Sequence, residues 1–493
     1  MIEADEQLPR GALYLSFGQA AFLLSGYALQ MILARLLSPS LFGVFVVVMN
    51  VLVWVEISVN NGVPSALQRF LPDPSLSELS VRRAAVRCQA IISVVIFLVL
   101  YLLAPWIAAF LRDPALVPYL RLAFFDILAM GAYAYYRGVL NGRRAFRQLA
   151  VTIAAYALTK LLTSSLLVFL GFGVQGALIG NIVSSLGGLA VGALWVWRRK
   201  ALDRVGNAEF GNNVQESQIV AFVLPTVLFT LASNVLLGLD LMGVKALLGD
   251  ADMVGYYGAA VKLAEAPRLV LLAFSFTLLP SLSHAIAAHD PMQTRRYLQQ
   301  TIRLLALILM PVLALITATA EPLITFVFSE VYRPAAPILE VLIFSYSAYT
   351  VYITLVTVLL AESRPGRALV IPLALLPVAF GSIWLGVNWV GALGAAFASL
   401  LSVASAAVVV IGYTWRRFRP KVDLLSLGRI GLASVIVWCL ARLWAPSGPV
   451  LILSYVLFGG LYLILLLVLG EVRCGDLVLV GSWLSYRKKG RDV

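Results

Sequence analysis

Histidine, cysteine and charge are all scarce in this chain. Two histidines and three cysteines occur in 493 residues, and only 12% of the positions are Asp, Glu, Lys or Arg. Cys88, Cys439 and Cys474 form no CxxC and no paired spacing, so neither a disulfide framework nor a metal site follows. His284 and His289 sit in a loop without ligand-type neighbours and read as plain loop residues. No GxxxxGKS or GxxxxGKT loop is present, which excludes ATP hydrolysis through a P-loop. The loops between apolar runs offer little of the carboxylate or histidine that membrane transferase chemistry needs. No enzyme is expected, and no catalytic residue, metal or cofactor is assigned.

What the chain has is apolar length. Hydrophobic residues make up 61% and the mean hydropathy is +0.93, values of an integral membrane protein. The runs have helix length and lack the alternation of an outer-membrane barrel strand. Spans are read at 11–36, 41–68, 88–110, 117–140, 148–170, 176–197, 218–248, 253–283, 298–320, 336–360, 368–386, 390–414, 424–444 and 449–470, about fourteen in all. The acidic start MIEADEQLPR leads into a run too long for a signal-peptide core, so the first span is expected to stay. The fold class is therefore an all-α polytopic membrane protein.

The net charge of +13 does not indicate nucleic acid, because the bases cluster in short loops between spans. Alternate loops carry Arg82, Arg83 and Arg87; Arg143, Arg144 and Arg147; Arg198, Arg199, Lys200 and Arg204; Arg295 and Arg296; Arg364 and Arg367; and Arg416, Arg417, Arg419 and Lys421. The intervening loops GFGVQG, LGDAD, GVNWVG and APSGP are nearly bare. The positive-inside rule then puts both termini in the cytoplasm of a cell (inner) membrane protein.

The chain is also a duplication. Gly43 of LFGVF falls opposite Gly255 of MVGYY, Pro118 opposite Pro337, VQGALIG (174–180) opposite WVGALGA (389–395), and Trp197-Arg198-Arg199 opposite Trp415-Arg416-Arg417. The offsets run from 212 to 219 residues, in the same order throughout. Each unit is thus six spans plus a linker, and an even number relates the two by an axis along the membrane normal. The expected division is an N-terminal six-helix lobe at 11–197, a cytoplasmic linker at 198–217, a C-terminal six-helix lobe at 218–414, two extra spans at 424–470 and a cytoplasmic tail at 471–493.

Ionisable groups inside spans are costly and mark function. Lys262, Glu265 and Arg268 are spaced by three, which places all three along one side of the helix of the eighth span. Thr152, Tyr156, Lys160 and Thr163 share a face of the fifth span, and Asp126, Met130, Tyr133 and Arg137 share one of the fourth. Glu56 lies in the second span and Asp240 in the seventh. The mid-span bases Lys160, Lys262 and Arg268 thus face the acids Glu56, Asp126, Asp240 and Glu265, a mixed interior. The bland alternatives remain open: a self-neutralised structural triad in the eighth span, interhelical hydrogen bonds in the fifth, and ordinary interfacial tyrosines in the fourth.

The segments LARLLSPSLFGVFVVVMNV (33–51) and ALLGDADMVGYYGAAVKL (246–263), with GVQGALIGN and VGALGAAFAS, resemble the multidrug/oligosaccharidyl-lipid/polysaccharide exporter superfamily. Within it the chain is most similar to the polysaccharide transporters, flippases of O-antigen-type lipid-linked oligosaccharides. The resemblance covers 11–470 and implies two six-helix lobes around a central cavity with alternating access. It also implies bases that meet a polyprenyl pyrophosphate, and a place beside a polysaccharide polymerase or glycosyltransferases. The candidate substrate residues are Lys160, Lys262, Arg268, Arg137 and Tyr133, approached past Arg69, Arg137 and Arg303; the candidate coupling or ion-pair residues are Glu56, Asp126, Asp240 and Glu265. Membrane lipids would hold the tail, with spans thirteen and fourteen a candidate path. The rival reading is a cation-coupled multidrug antiporter of the same superfamily. A non-transporting scaffold is disfavoured, since a scaffold has no use for buried charge.

Overall fold

The computed structural model describes residues 2–73, 75–203, 216–269, 290–361, 365–420, 423–444 and 447–471. Both histidines, residues 204–215 of the expected linker, the eighth span beyond Leu269 and the tail beyond Glu471 lie outside the described residues. Helices account for nearly all of what is described: α1 (Ile2–Leu36), α2 (Pro39–Asn61), α3 (Val63–Phe70), α4 (Glu78–Phe110), α5 (Leu116–Gly142), α6 (Phe146–Leu167), α7 (Gly173–Asp203), α8 (Glu216–Leu248), α9 (Ala251–Ala264), α10 (Pro291–Ala318), α11 (Ala320–Val327), α12 (Ala336–Ala361), α13 (Pro365–Val390), α14 (Ala392–Phe418), α15 (Leu424–Trp444) and α16 (Val450–Val468).

Twelve helical segments among the described residues are long and apolar enough to cross a membrane. One of them, Phe146–Arg198, contains two spans: Gly171 and Gly173 take φ of +91° and +54°, and α6 turns back on α7 there. Only glycine adopts such angles at little cost. Ser164 Oγ and Thr163 Oγ1 then donate across the hairpin to the Ala177 and Gly180 carbonyls at 3.2 and 3.1 Å. With the partly described eighth span the expected fourteen are accounted for.

The eighth span departs from expectation. Instead of one helix carrying Lys262, Glu265 and Arg268 on a single side, α9 stops at Ala264 and a 3₁₀ turn covers Ala266–Leu269. Pro267 lacks the N–H that would continue the helical ladder, and its ring obstructs the preceding turn. Lys262 therefore sits in the last turn of one element while Arg268 sits in another.

Local chemistry explains the repeated turn. Ser38 caps α2 by accepting from the Leu41 N–H at 3.3 Å, with Pro39 in the first turn. Its repeat counterpart Asp250 caps α9, accepting from the Asp252 and Met253 N–H groups at 2.9 and 3.1 Å. The two starts pack together. A Cβ on Gly43 would lie 2.8 Å from the Gly255 nitrogen, and one on Gly255 would overlap the Pro39 carbonyl oxygen. Gly255→Ala is accordingly expected to destabilise the protein by about 1–3 kcal/mol, the usual cost of overpacking, read as a lower unfolding midpoint in detergent.

Two compact units emerge from the packing: residues 1–262 with 363–409, and residues 263–362 with 410–493. These group helices by contact, whereas the sequence repeat groups them by descent. In the second unit the α15–α16 hairpin is tied to α10 at one end. Arg303 donates from Nε to Glu471 Oε1 at 2.7 Å and from Nη2 to the Glu471 carbonyl at 2.6 Å, and Ser426 Oγ donates to the same carboxylate at 2.5 Å. Arg303, expected along the substrate approach, is thus engaged in holding the last two spans.

Candidate functional site

The site begins with two neighbouring helices whose polar stripes were readable in the sequence. On α5, Asp126, Met130, Tyr133 and Arg137 recur every three to four residues, and Asp126, Met130 and Tyr133 are buried. On α6, Thr152 and Tyr156 are buried and Lys160 is half-buried. The two stripes meet through the tyrosines. The Tyr133 and Tyr156 rings stack with centroids 5.2 Å apart and planes 6° from parallel. Phe22 of α1 lies 6.0 Å from Tyr156 in a stacked arrangement. Each tyrosine has a cation near it: the Arg137 guanidinium 5.7 Å from the Tyr133 centroid, and the Lys160 ammonium 5.7 Å from that of Tyr156, donating to the Tyr156 hydroxyl at 3.5 Å. Arg137 also donates to the Asn60 carbonyl, where α2 ends, at 3.4 Å.

Tyr133, expected as a sugar-stacking platform, is only 2% exposed and has Tyr156 against its face. Within this arrangement its ring packs on Tyr156 and lies near the Arg137 guanidinium.

Three helices converge beside Lys160. Glu56 of α2 and Asp126 of α5 sit close enough to interact directly, and both are buried. Asn181 of α7 joins them: its Nδ2 donates to Asp126 Oδ2 at 2.8 Å and to Glu56 Oε1 at 3.4 Å. Lys160 lies within electrostatic reach of both carboxyls, and Lys262, in the last turn of α9, within reach of Lys160. Five polar groups from five helices thus share one interior region, where each interaction is stronger than in water. Asn181 carries no charge and stands on no striped face with an ionisable group, so the sequence pattern does not single it out. What signal there is lies in a strongly polar residue within an apolar span.

The remaining candidates lie elsewhere. Asp240 of α8 is buried and served by its neighbours, accepting from the Tyr257 hydroxyl at 2.8 Å and from the Leu241 N–H at 2.7 Å. Arg268 lies in the second compact unit, its guanidinium 6.0 Å from the Tyr349 ring of α12, and its N–H donates to the Glu265 carbonyl at 2.9 Å. Of the nine candidates, Glu56, Asp126, Tyr133, Arg137, Lys160 and Lys262 gather around the α5–α6 pair. Asp240 stands apart with Tyr257, and Glu265 and Arg268 belong to the second unit.

Chemically, the cluster offers fixed ammonium and guanidinium groups for an anion, and carboxyls that compete for the same ammonium.

A family model described as polysaccharide biosynthesis protein matches residues 32–337. No curated protein sequence matches the chain. Among solved structures, the lipid II flippase MurJ in an inward closed conformation is similar with a TM-score of 0.72 and 15% identity, covering 92% of this chain and 98% of that one. An inward-facing multidrug resistance MATE family transporter of the MOP superfamily gives a TM-score of 0.66 at 16% identity, covering 81% of this chain and 94% of that one. A MOP superfamily transporter from Pyrococcus furiosus gives 0.59 at 15% identity, covering 84% and 95%. At such identities the likeness is one of fold.

Proposed function

The chain belongs to the polysaccharide biosynthesis protein family, is a multi-pass membrane protein of the MOP transporter fold, and on that footing we propose that it flips a lipid-linked oligosaccharide. The substrate would be a polyprenyl-pyrophosphate-linked oligosaccharide, carried from the cytoplasmic to the outer leaflet of the cell membrane for surface polysaccharide such as O-antigen. Both termini would be cytoplasmic, and the repeat halves would act as two lobes rocking about the site. A polymerase or glycosyltransferases would hand over and take up the glycan.

The observation that carries this reading is Lys160, an ammonium held inside the membrane between a tyrosine stack and two carboxyls. A pyrophosphate is costly to desolvate and needs fixed bases in a protected place. Arg137 would meet it first and Lys160 with Lys262 next; Arg268, in the second unit, carries a fork able to bind two phosphate oxygens at once. Glu56 and Asp126 then act as competitors. While ionised they hold Lys160; once neutralised by a cation they release it to the pyrophosphate. Binding of substrate and of cation would so favour each other.

The rival antiporter reading draws on the same acids, with a cationic drug placed on Glu56 and Asp126. Reconstitution separates the two. Liposomes holding the purified protein should make a pyrophosphate-linked oligosaccharide on the inner leaflet accessible to an added glycosidase, well above protein-free liposomes. No gain for the glycolipid, together with pH- or sodium-driven efflux of an organic cation, would establish the rival.

A further inference from the structure

The two halves of the chain answer one intramembrane charge differently. In the repeat, Pro118 falls opposite Pro337, which sets Arg121 of α5 opposite Glu340 of α12. Glu340 meets Arg442 of α15 at 3.7 Å, so one of the two extra spans supplies its counter-charge. The first half has no counterpart of α15, which lies outside the repeat. Among the described residues the Arg121 guanidinium donates no hydrogen bond and forms no ion pair, and its Nε is buried. A base inside a span with no acid to answer it is costly, which points to an anion from outside the chain.

What holds Arg121 is aromatic. Its guanidinium lies 4.9 Å from the centroid of Tyr101 on α4. Tyr101 meets Phe97 and Phe125 with centroids 5.6 and 6.0 Å away. A ring attracts the cation but offers no oxygen to its five N–H donors. Arg121 and Phe125 share a side of α5 that is turned about 140° from Asp126, so the Lys160 region takes no part.

Depth and surroundings select the occupant. Arg121 lies about 8 Å along the axis from the first residue of α5, Leu116. Trp106, beyond Tyr101 toward the same α4–α5 turn, is 75% exposed, as befits a residue at the membrane interface. Leu98 and Leu102, either side of Tyr101 on α4, are exposed, and so is Phe125. Such a surface takes acyl chains, while an arginine at this depth snorkels to headgroup level. Phosphate oxygens match its donor fork.

We propose that Arg121, seated against Tyr101, binds the phosphate of an anionic phospholipid whose chains lie along Leu98, Leu102 and Phe125. The lipid belongs to the leaflet at the α4–α5 turn, the outer one under the positive-inside rule. It supplies to the first half the counter-charge that α15 supplies to the second. The proposal is independent of which substrate the protein carries.

The test uses the purified full-length protein, delipidated in a non-ionic detergent and titrated with dioleoylphosphatidylglycerol. Bound lipid is counted by native mass spectrometry, and the unfolding midpoint is read in parallel. At low lipid, Arg121→Met should retain one lipid fewer than the unsubstituted protein. The concentration needed to fill that place should rise on the order of tenfold, the usual loss of one charge-assisted contact. Arg121→Lys keeps the charge without the fork and should fall between the two, which guards against a folding failure of the methionine variant. Without lipid, the midpoint of Arg121→Met should not drop, because no hydrogen bond within the chain is lost. Glycerol 3-phosphate, a headgroup phosphate without chains, should not displace the lipid at equal concentration. Equal lipid counts in Arg121→Met and the unsubstituted protein would overturn the proposal and leave the charge to an acidic side chain of a partner protein. Displacement by glycerol 3-phosphate would make this a site for free anions. A midpoint lowered as much without lipid as with it would reduce Arg121 to a prop for the rings.

Discussion

Lys160→Ala is expected to abolish glycolipid translocation while the protein still accumulates in the membrane. Lys160 is the base that sits against both the tyrosine stack and the acid pair. A charge-assisted contact to a pyrophosphate is worth up to about 3 kcal/mol, so its loss lowers the rate about a hundredfold at subsaturating substrate. Arg268→Ala should have a comparable effect on transport, and Arg268→Lys should restore it only in part. Lysine keeps the charge but loses the two-pronged fork. The measurement is complementation of a strain lacking its own flippase, with the protein quantified in the membrane fraction. Normal transport by both alanine variants would remove the anion site from these residues. Failure of both to accumulate would make the charges structural.

Breaking the ion pair between Asp113 and Lys245 is expected to give the largest loss of stability from a single exchange. Lys245 Nζ lies 2.6 Å from Asp113 Oδ2, with side chains only 10% and 24% exposed. The pair ties the turn between α4 and α5 to the last turn of α8. Asp113 is held ready for it, since its other oxygen accepts the Ala115 N–H at 3.1 Å. Asp113→Asn can keep that turn contact yet leaves a nearly buried ammonium uncompensated, at a cost of about 3–5 kcal/mol. Adding Lys245→Met should recover most of the loss, because a buried pair replaced on both sides is often close to neutral. A thermal unfolding series over the four combinations would return the coupling. Additive losses would show that the two residues act independently.

Several features of the fold were open to reading from the chain alone because they depend on neighbours in sequence. Ser38 and Asp250 announce helix starts by an oxygen that reaches its own next turn. The stripe Thr152–Tyr156–Lys160 follows from the helical repeat, whatever lies opposite. The eighth span breaks at Pro267, where a continuous apolar run hides the gap in its hydrogen-bond ladder. Tyr133 was found as a member of a polar face, but its environment was not. Sequence shows which side of a helix a tyrosine is on, and only packing shows whether another ring already covers it.

The sequence by itself determined that this chain is a helical membrane protein of about fourteen spans, duplicated, with charge placed inside its spans. Run length, loop charge, capping residues and a recurring offset carry that information locally, and no distant contact is needed to express it. Only the tertiary structure decided that Asn181 would hold Glu56 and Asp126 together, 125 and 55 residues away along the chain. It also decided that Asp240 would be taken by Tyr257, and that Arg268 would leave the line of Lys262. The physical reason is one of rotation. A helix turned about its axis by one residue's worth of angle presents a different side chain to its neighbour, and that angle is set jointly by all the helices packed around it.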